Sequence, residues 1–519
     1  LHWSEKIANQ LIEAHPERDT FVCASGISPS GSVHIGNFRE IVTTYFVTKA
    51  LQKHGKKVRF LFSWDDFDRF RKVPAGVDRS FERYIGMPYS EVPCPFGCHR
   101  SYAEHYEKEF EHALHAFEIR PEYIYQTAEY RSRRYNKSIL HAIKQRKEIY
   151  NILMSYKTGE TSEEARNSFF PVHVYCESCR KDSTTVLAFD DRNDTLLYGC
   201  ACGHQNTVAI ADAVNIKLQW KIDWPMRWQM EDVLFEPGGR DHSSETGSYN
   251  VSKTIAEQIF GSKPPSYAPY EFIGIKGTHA KMSSSSGNNY TPDDLLQVYA
   301  PEQILFLFAK YQPSAAFNIG MDEDVLRNYT EYERYREAYG ANTIPGEIRE
   351  AFELSIVNDD RNEKVPKFSL VSSILPLVHF DIRLLRDVLL RSGENYSQEA
   401  IEQVANRSEY WIKQWFPQKL VAVNSERNIA FYETLSTEER VWVEAFRNLL
   451  RTDNEGDDEA LMSEIYAICH DEDSKVKKRN QKRLFSIIYR LVLGKDEGPR
   501  IPLLIQVVGS AKMMALLDF

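Results

Sequence analysis

The chain has 519 residues, 42% hydrophobic and 27% charged, with a formal net charge of −10. The length exceeds the roughly 250–300 residues that one hydrophobic core organises, and the composition is ordinary for a soluble globular protein. The negative balance excludes polyanion binding through net charge alone, and no apolar run reaches the ~18 residues needed to span a bilayer.

Leu1-His2-Trp3-Ser4-Glu5-Lys6 opens an amphipathic segment without a signal-peptide layout, so a cytoplasmic location with no membrane partner is expected. Phe21–Ser25 reads as a buried strand ending in Gly26, followed by a loop over Ile27–Ser32 punctuated by Pro29 and Gly31. From His34 onward Ile35, Phe38, Ile41, Val42, Tyr45, Phe46, Ala50 and Leu51 recur at helical spacing, and His54-Gly55 ends the helix. Val58–Trp64 is a second strand. A strand–helix–strand unit of this kind belongs to a parallel sheet that binds ligands at the strands' C-terminal ends.

The regularity breaks from about Met87 to Thr207, where both cysteine groups, two basic helical stretches and several Pro-containing turns lie. Sheet-like and helical alternation resumes over Val208–Tyr270, a Ser/Gly-rich loop follows at Lys281–Asn289, and the chain beyond Thr291 reads as helical. Glu333–Tyr339, Arg383–Leu390, Val441–Leu450 and Arg483–Leu493 are the clearest helical stretches. The expected fold class is α/β: a Rossmann-type parallel-sheet catalytic domain (1–86 and 208–290), a metal-bearing insertion (87–207), a helical connector (291–340) and an all-helical domain (341–519).

Six of the eight cysteines fall into two tight groups, which points to metal rather than disulfides. Cys176-x-x-Cys179 followed by Cys200-x-Cys202-Gly203-His204 has zinc-ribbon spacing; four thiolates are the first reading, with Cys200 and His204 as an alternative second pair. Cys94, Cys98, His99 and His105 fit a compact second site, against the alternative of unligated surface side chains. One or two structural zinc ions are expected, because no water-activating glutamate motif accompanies either group. Cys23 and Cys469 read as buried apolar residues. Two basic patches are candidates for RNA contact: Arg131, Arg133 and Arg134 with Lys137, Lys144, Arg146 and Lys147; and Lys475, Lys477, Lys478 and Arg479 with Lys482 and Arg483.

Two short motifs carry chemistry. Pro29-Ser30-Gly31-Ser32-Val33-His34-Ile35-Gly36-Asn37 sits between strand and helix, where small residues let a phosphate approach and the helix N-terminus supplies N–H donors. His34 can donate to a phosphoryl oxygen, and Gly36 leaves room for an adenine ring. Lys281-Met282-Ser283-Ser284-Ser285-Ser286-Gly287-Asn288 brings an ammonium and hydroxyls suited to a triphosphate. The pair resembles the H-I-G-H and K-M-S-K-S signatures of class I aminoacyl-tRNA synthetases. With Trp64-Asp65-Asp66, Asp223-Trp224-Pro225-Met226-Arg227-Trp228, Phe235–His242, Gly274–Gly277 and Gly494–Arg500, the chain is similar along its length to the archaeal and spirochaetal type of class I lysyl-tRNA synthetase. Asn37 replaces the second histidine and Ser284 the second lysine of the general motifs; Lys276 is a candidate substitute for the missing ammonium.

The resemblance implies lysine activation with ATP and magnesium, followed by transfer to tRNA(Lys), by a monomer. Catalytic roles are expected for His34, Asn37 and Lys281; ATP contacts for Ser30, Gly36, Asp241, Lys276, Met282, Ser283, Ser284 and Ser285; and lysine contacts for Gly26, Ser28, Trp220 and His242. Asp65 and Asp66, with Asp68, are the best-placed acids for the ammonium, unless they only form a turn or cap a helix; Glu40 is a less favoured candidate, with a solvent-facing side chain as the alternative. Trp224 and Trp228 read as core packing. The helical half suits an anticodon-binding cage, where Trp411, Trp415 and Phe416 either stack on bases or pack their own helix. Glutamate or arginine as the amino acid, a small-molecule nucleotidyltransferase and a non-enzymatic zinc RNA-binding protein are the rival readings.

Overall fold

A computed structural model describes residues 1–277, 289–357, 363–452 and 457–519. Contacts divide the chain into two units: Leu1–Gly320 with Thr343–Asp359, and Met321–Asn342 with Asp360–Phe519. No helix among the described residues is long and apolar enough to cross a membrane.

The first unit is built on a five-stranded sheet. Strands β1 (Thr20–Ile27), β2 (Lys57–Trp64), β3 (Glu122–Tyr125), β4 (Phe235–Gly239) and β5 (Ser266–Tyr270) lie in the order β5-β4-β1-β2-β3, all parallel. The chain leaves β1 towards β2 and β3, then returns to build β4 and β5 on the other side. This reversal opens a crevice at the C-terminal ends of β1 and β4. Val22, Ala24, Leu61 and Ile124 pack with Trp224 and Trp228 of helix Trp220–Glu231 and with Ala256. Helix α1 (Ile35–Lys53) packs on β1 and β2, and Phe38 meets Phe110 of helix α2 (Tyr102–His115) edge-on.

Helix α1 is buried along almost its whole length, polar positions included: Arg39, Glu40, Thr43, Thr44 and Thr48 are all inside. The threonines are tolerated because their hydroxyls return to backbone carbonyls. Thr43 donates to Arg39 O at 2.6 Å and Thr48 to Tyr45 O at 2.7 Å, while Thr44 crosses to Ala24 O of β1 at 3.2 Å.

The segment 87–207, expected as an insertion, does more than that. It supplies α2 and the edge strand β3, which pairs with β2 from Leu61↔Glu122 to Trp64↔Tyr125. A four-residue edge strand leaves too little periodicity to be read from the sequence. The rest of the segment forms an antiparallel three-stranded sheet (Thr184–Asp190, Thr195–Cys200, Gln205–Ala209) and a short pair joining Val172–Val174 to Ile216–Leu218. Its apolar residues, Tyr198, Ile139 and Leu153 among them, share one core with Met226, Val251 and Ile255. A small parallel pair, β6 (Ile273–Ile275) and β7 (Phe317–Ile319), closes the unit.

The expected connector 291–340 is divided. Helix Pro301–Ala309 belongs to the first unit, helix Asp324–Gly340 to the second, and helix Gly346–Ser355 returns to the first, where Lys49 donates to Leu354 O. The second unit is helical among its described residues, and the expected helices lie within or beside Asp324–Gly340, Ile382–Arg391, Thr437–Leu449 and Ser474–Leu493. Trp411 is fully buried, donates to Met321 O at 2.8 Å and stacks on Phe416 at 5.1 Å, so it packs its own helix; Trp415 remains 36% exposed.

Phe62 is fully buried between Trp64, Phe110 and Tyr123. Its replacement by alanine is expected to cost about 3–5 kcal/mol, read as a lowered midpoint in denaturant unfolding.

Candidate active site

The first motif caps α1. His34 is the N-cap residue, 5% exposed, and its Nδ1 accepts the Asn37 backbone N–H at 3.1 Å. With Nδ1 accepting, a neutral ring carries its proton on Nε2, the form that donates to a phosphoryl oxygen. Gly36 is required for this arrangement: a Cβ there would lie 2.9 Å from His34 Nδ1. The space expected for adenine at Gly36 is therefore bordered by the imidazole itself. Ser30 is held in the turn by its N–H to Ser28 O at 2.9 Å and by Tyr102 Oη donating to Ser30 O at 2.6 Å.

Lys281, Met282, Ser283, Ser284 and Ser285 lie outside the described residues. Their flanks do not. Tyr290 O accepts from Ile35 N at 2.6 Å, and Lys276 N donates to Ile319 O at 2.9 Å just past β6. Both flanks of the second motif are thus hydrogen-bonded inside the first unit, one of them to the first turn of α1. Asp241 follows β4 on a short 3-10 turn, its Oδ1 close enough to Gly239 that a Cβ there would meet it at 2.6 Å.

The acids after β2 are engaged internally. Asp65 pairs with Arg227 at 2.7 Å, and Arg227 pairs with Asp223 at 2.5 Å. Asp68 accepts from Ser28 Oγ at 3.1 Å and pairs with the buried Lys217 at 3.2 Å. Asp66 accepts Thr127 N at 2.7 Å and so caps the start of helix Gln126–Arg131. Asp65 and Asp66, expected to receive a substrate ammonium, are thus engaged within the chain, one with a guanidinium and the other at a helix end.

Glu40 corrects the sequence reading in the opposite direction. It is 6% exposed rather than solvent-facing, and it accepts from Gly26 N at 3.4 Å. Burial pushes its carboxyl well above the usual range; the nearby Glu236 charge adds to this, and hydrogen bonds from Tyr270 and Gly26 oppose it. Glu236, missed in the sequence, is buried on β4 and accepts from Trp228 Nε1 at 2.9 Å. Its carboxyl is pushed up to about 7 by burial, opposed by the nearby Trp224 and Trp228 indoles and by the Arg227 charge. Neither acid has an ion-pair partner among the described residues.

Aromatic rings line the same region. Trp220 stacks on Trp224 at 5.0 Å, His242 lies 6.1 Å from Trp220, and Tyr249 stacks on Tyr267 at 3.9 Å. Trp224 and Trp228 are core residues, 3% and 2% exposed, whereas Trp220 is half-buried with Nε1 lacking a hydrogen-bond partner among the described residues. The Arg227 guanidinium lies over the Trp220 ring, 5.3 Å from its centroid.

Both cysteine groups assemble. Cys176 and Cys202 Sγ lie 3.7 Å apart and Cys179 and Cys200 Sγ 3.6 Å apart, with all four ligand atoms within 4.8 Å of one another. Cys94, Cys98, His99 and His105 converge likewise, with His105 Nδ1 3.2 Å from Cys98 Sγ. Sulfur spacings near 3.7 Å are the edge of a tetrahedron around an ion bound at about 2.3 Å. His204 stands outside the group, 3.7 Å from Glu177. The backbone N–H of His204 instead lowers the Cys202 thiol to about 7, favouring the thiolate.

A model of the family described as "tRNA synthetases class I (K)" matches residues 1–358. The chain belongs to that family. It is 36% identical over 535 residues to a lysine–tRNA ligase of Treponema pallidum (strain Nichols), covering 100% of this chain and 98% of that protein. Lysine–tRNA ligases of Pyrococcus horikoshii and Borreliella burgdorferi are 33% and 34% identical, covering 96% and 98% of this chain and 96% and 97% of those proteins.

In this class I synthetase the two basic patches differ. Arg131 pairs with Glu91, Arg134 with Glu129 and Glu231, and Lys144 with Asp194, so the first patch is partly neutralised. On helix Ser474–Leu493, Arg483 pairs with Glu439 and Arg490 with Asp496, while Lys475, Lys477, Lys478, Arg479 and Lys482 have no ion-pair partner among the described residues.

Two outcomes follow for the synthetase. Gly36→Ala is expected to displace the His34 ring and lower turnover about a hundredfold while leaving the thermal midpoint nearly unchanged, read by steady-state kinetics and calorimetry. Cys179→Ser is expected to remove one equivalent of bound divalent metal and leave the other group loaded, read by elemental analysis.

Proposed function

We propose that the protein activates L-lysine with ATP and transfers it to tRNA(Lys). The lysine carboxylate attacks the α-phosphorus of ATP, releasing pyrophosphate; the terminal ribose hydroxyl of the tRNA then attacks the carbonyl of lysyl-adenylate, releasing AMP. His34 Nε2–H and the N-terminal N–H groups of α1 hold phosphate oxygens, with Asn37 and Lys281 as further donors. Magnesium enters with ATP, held mainly by the phosphates. The two cysteine-bearing groups hold structural zinc, which stiffens the segments around them.

The observation that carries the choice of amino acid is the pair of buried acids Glu40 and Glu236, neither of which has an ion-pair partner among the described residues. A glutamate side chain would add a third acid there, whereas an ε-ammonium supplies a counter-charge that favours their ionised forms. Gly26, Ser28, Trp220, His242 and Tyr270 complete the proposed lysine site. The basic first turns of helix Ser474–Leu493, without ion-pair partners among the described residues, and the exposed Trp415 suit contact with the anticodon arm.

Lysine-dependent ATP–pyrophosphate exchange tests the reading directly. Exchange with lysine is expected and exchange with glutamate is not, while His34→Ala is expected to lose about 10²–10³-fold. Exchange supported only by another amino acid would exclude the lysine assignment.

Glu40 and Glu236 also set a pH dependence. Both hold protons more tightly folded than unfolded, so they favour the folded state most below the usual glutamate pKa, and that contribution is lost as pH rises towards about 7 for Glu236. A bound ammonium favours their ionised forms. Lysine binding near neutral pH is therefore expected to release protons and tighten as pH rises, read by calorimetry in buffers of different ionisation enthalpy. Glu40→Gln is expected to reduce the proton release and raise the KM for lysine at least tenfold.

A further inference from the structure

Arg39 lies one half-turn beyond Asn37 on α1, where the sequence gives it no role. It is 2% exposed. Its Nη1 donates to Glu271 O and to Ala315 O, each at 2.8 Å, and its Nη2 donates to Gln312 O at 2.7 Å. The guanidinium lies over the Phe317 ring at 5.2 Å. No carboxylate comes within ion-pair distance of it among the described residues, and the Glu271 side chain is turned to Arg240 at 3.3 Å.

A buried guanidinium held by carbonyl dipoles, an aromatic ring and the Glu271 charge outside ion-pair distance is a costly way to fill a core, and an apolar side chain of similar volume would cost less. What distinguishes this one is where its carbonyls lie. Glu271 immediately precedes β6, and Gln312 and Ala315 precede β7, so one planar fork ties both incoming strands of the small parallel pair to α1. Glu271 N also donates to Pro313 O at 2.8 Å, joining the two entry segments to each other. From β6 the chain reaches Lys276, and beyond the second motif it returns at Tyr290, whose carbonyl accepts from Ile35 N at 2.6 Å. The same helix whose first turn carries His34 and Asn37 thus anchors the chain on either side of Lys281.

We infer that Arg39 is a positioning residue for adenylate formation, fixing the β6–β7 pair against α1 so that Lys276 keeps its place relative to the helix start that carries His34. This rests on the reading of the two nucleotide motifs as a shared ATP site. Arg39 does not contact substrate; it acts through the backbone that carries Lys276. Lysine cannot replace it, because one ammonium on a flexible stem cannot serve the Glu271 and Ala315 carbonyls and the Gln312 carbonyl as a planar fork does.

The test compares Arg39→Met and Arg39→Lys with His34→Ala and with Val47→Ala, a truncation at a fully buried position further along the same helix. In lysine-dependent pyrophosphate exchange, both Arg39 variants are expected to lose about 10–100-fold in kcat with a raised KM for ATP. Their KM for lysine is expected to stay within about twofold, as is the single-turnover rate of transfer from preformed lysyl-adenylate to tRNA. Val47→Ala, compared at equal distance below its own thermal midpoint, is expected to change none of these. Should Arg39→Met fail to fold, Arg39→Lys decides by the same criteria. Wild-type exchange in the folded Arg39 variants beside an inactive His34→Ala overturns this inference alone. An equal rise in both KM values together with a slowed transfer step, matched by Val47→Ala, reduces Arg39 to a stability role and also overturns it. A fully active His34→Ala removes the ATP site on which the inference stands.

Discussion

The ligand end of this molecule depends on one helix being buried on nearly every side. A helix packed between a sheet and further chain must satisfy its polar side chains internally or lose stability for each one left unpaired. Helix α1 does so with threonines folded back on carbonyls, an arginine spent on three carbonyls and a histidine turned onto its own N-terminus. Because none of these groups relies on solvent, the helix start is held firmly, and its N–H groups and imidazole arrive at the crevice between β1 and β4 already oriented. Preorganisation of this kind lets phosphate charge be met without rearrangement at the moment of reaction.

Electrostatic selection follows from uneven neutralisation. The acids beside β2 each have a partner: Asp65 has Arg227, Asp68 has Lys217 and Asp66 has a helix end. Glu40 and Glu236 have aromatic and backbone neighbours but no ion-pair partner among the described residues, and only the Arg227 charge reaches Glu236 from further away. A low-dielectric site holding two acids is hospitable to an ammonium ion and hostile to a carboxylate, while the paired network around it stays electrically quiet.

Much of this was legible in the sequence, for physical reasons that also explain the gaps. Strand–helix–strand from Phe21 to Trp64 was readable because β1, β2 and the apolar stripe of α1 are long and local. The metal groups were readable because their ligands are close in sequence, although the choice of Cys202 over His204 needed the geometry of the turn. Glu40 was misjudged because helical periodicity assigns the face opposite an apolar stripe to water. The warning was compositional: Thr43, Thr44 and Thr48 occupy that face, where a solvated helix would carry lysines and glutamates. Glu236 stands in a strand with no other polar side chain, Phe235-Glu236-Pro237-Gly238-Gly239, and an acid in such a run is a buried acid. Asp65 and Asp66 looked available because their partners, Arg227 and Thr127, are remote in sequence.

Helix α2 carries two duties on adjacent turns. His105 belongs to the cysteine–histidine group, and one turn earlier Tyr102 donates its hydroxyl to the carbonyl of Ser30 in the phosphate-side turn. The knuckle and the nucleotide pocket are therefore not modular parts. Grafting this knuckle onto a related scaffold, or exchanging it for a metal-free loop, would shift a strut of the catalytic turn unless the register of Tyr102 were kept.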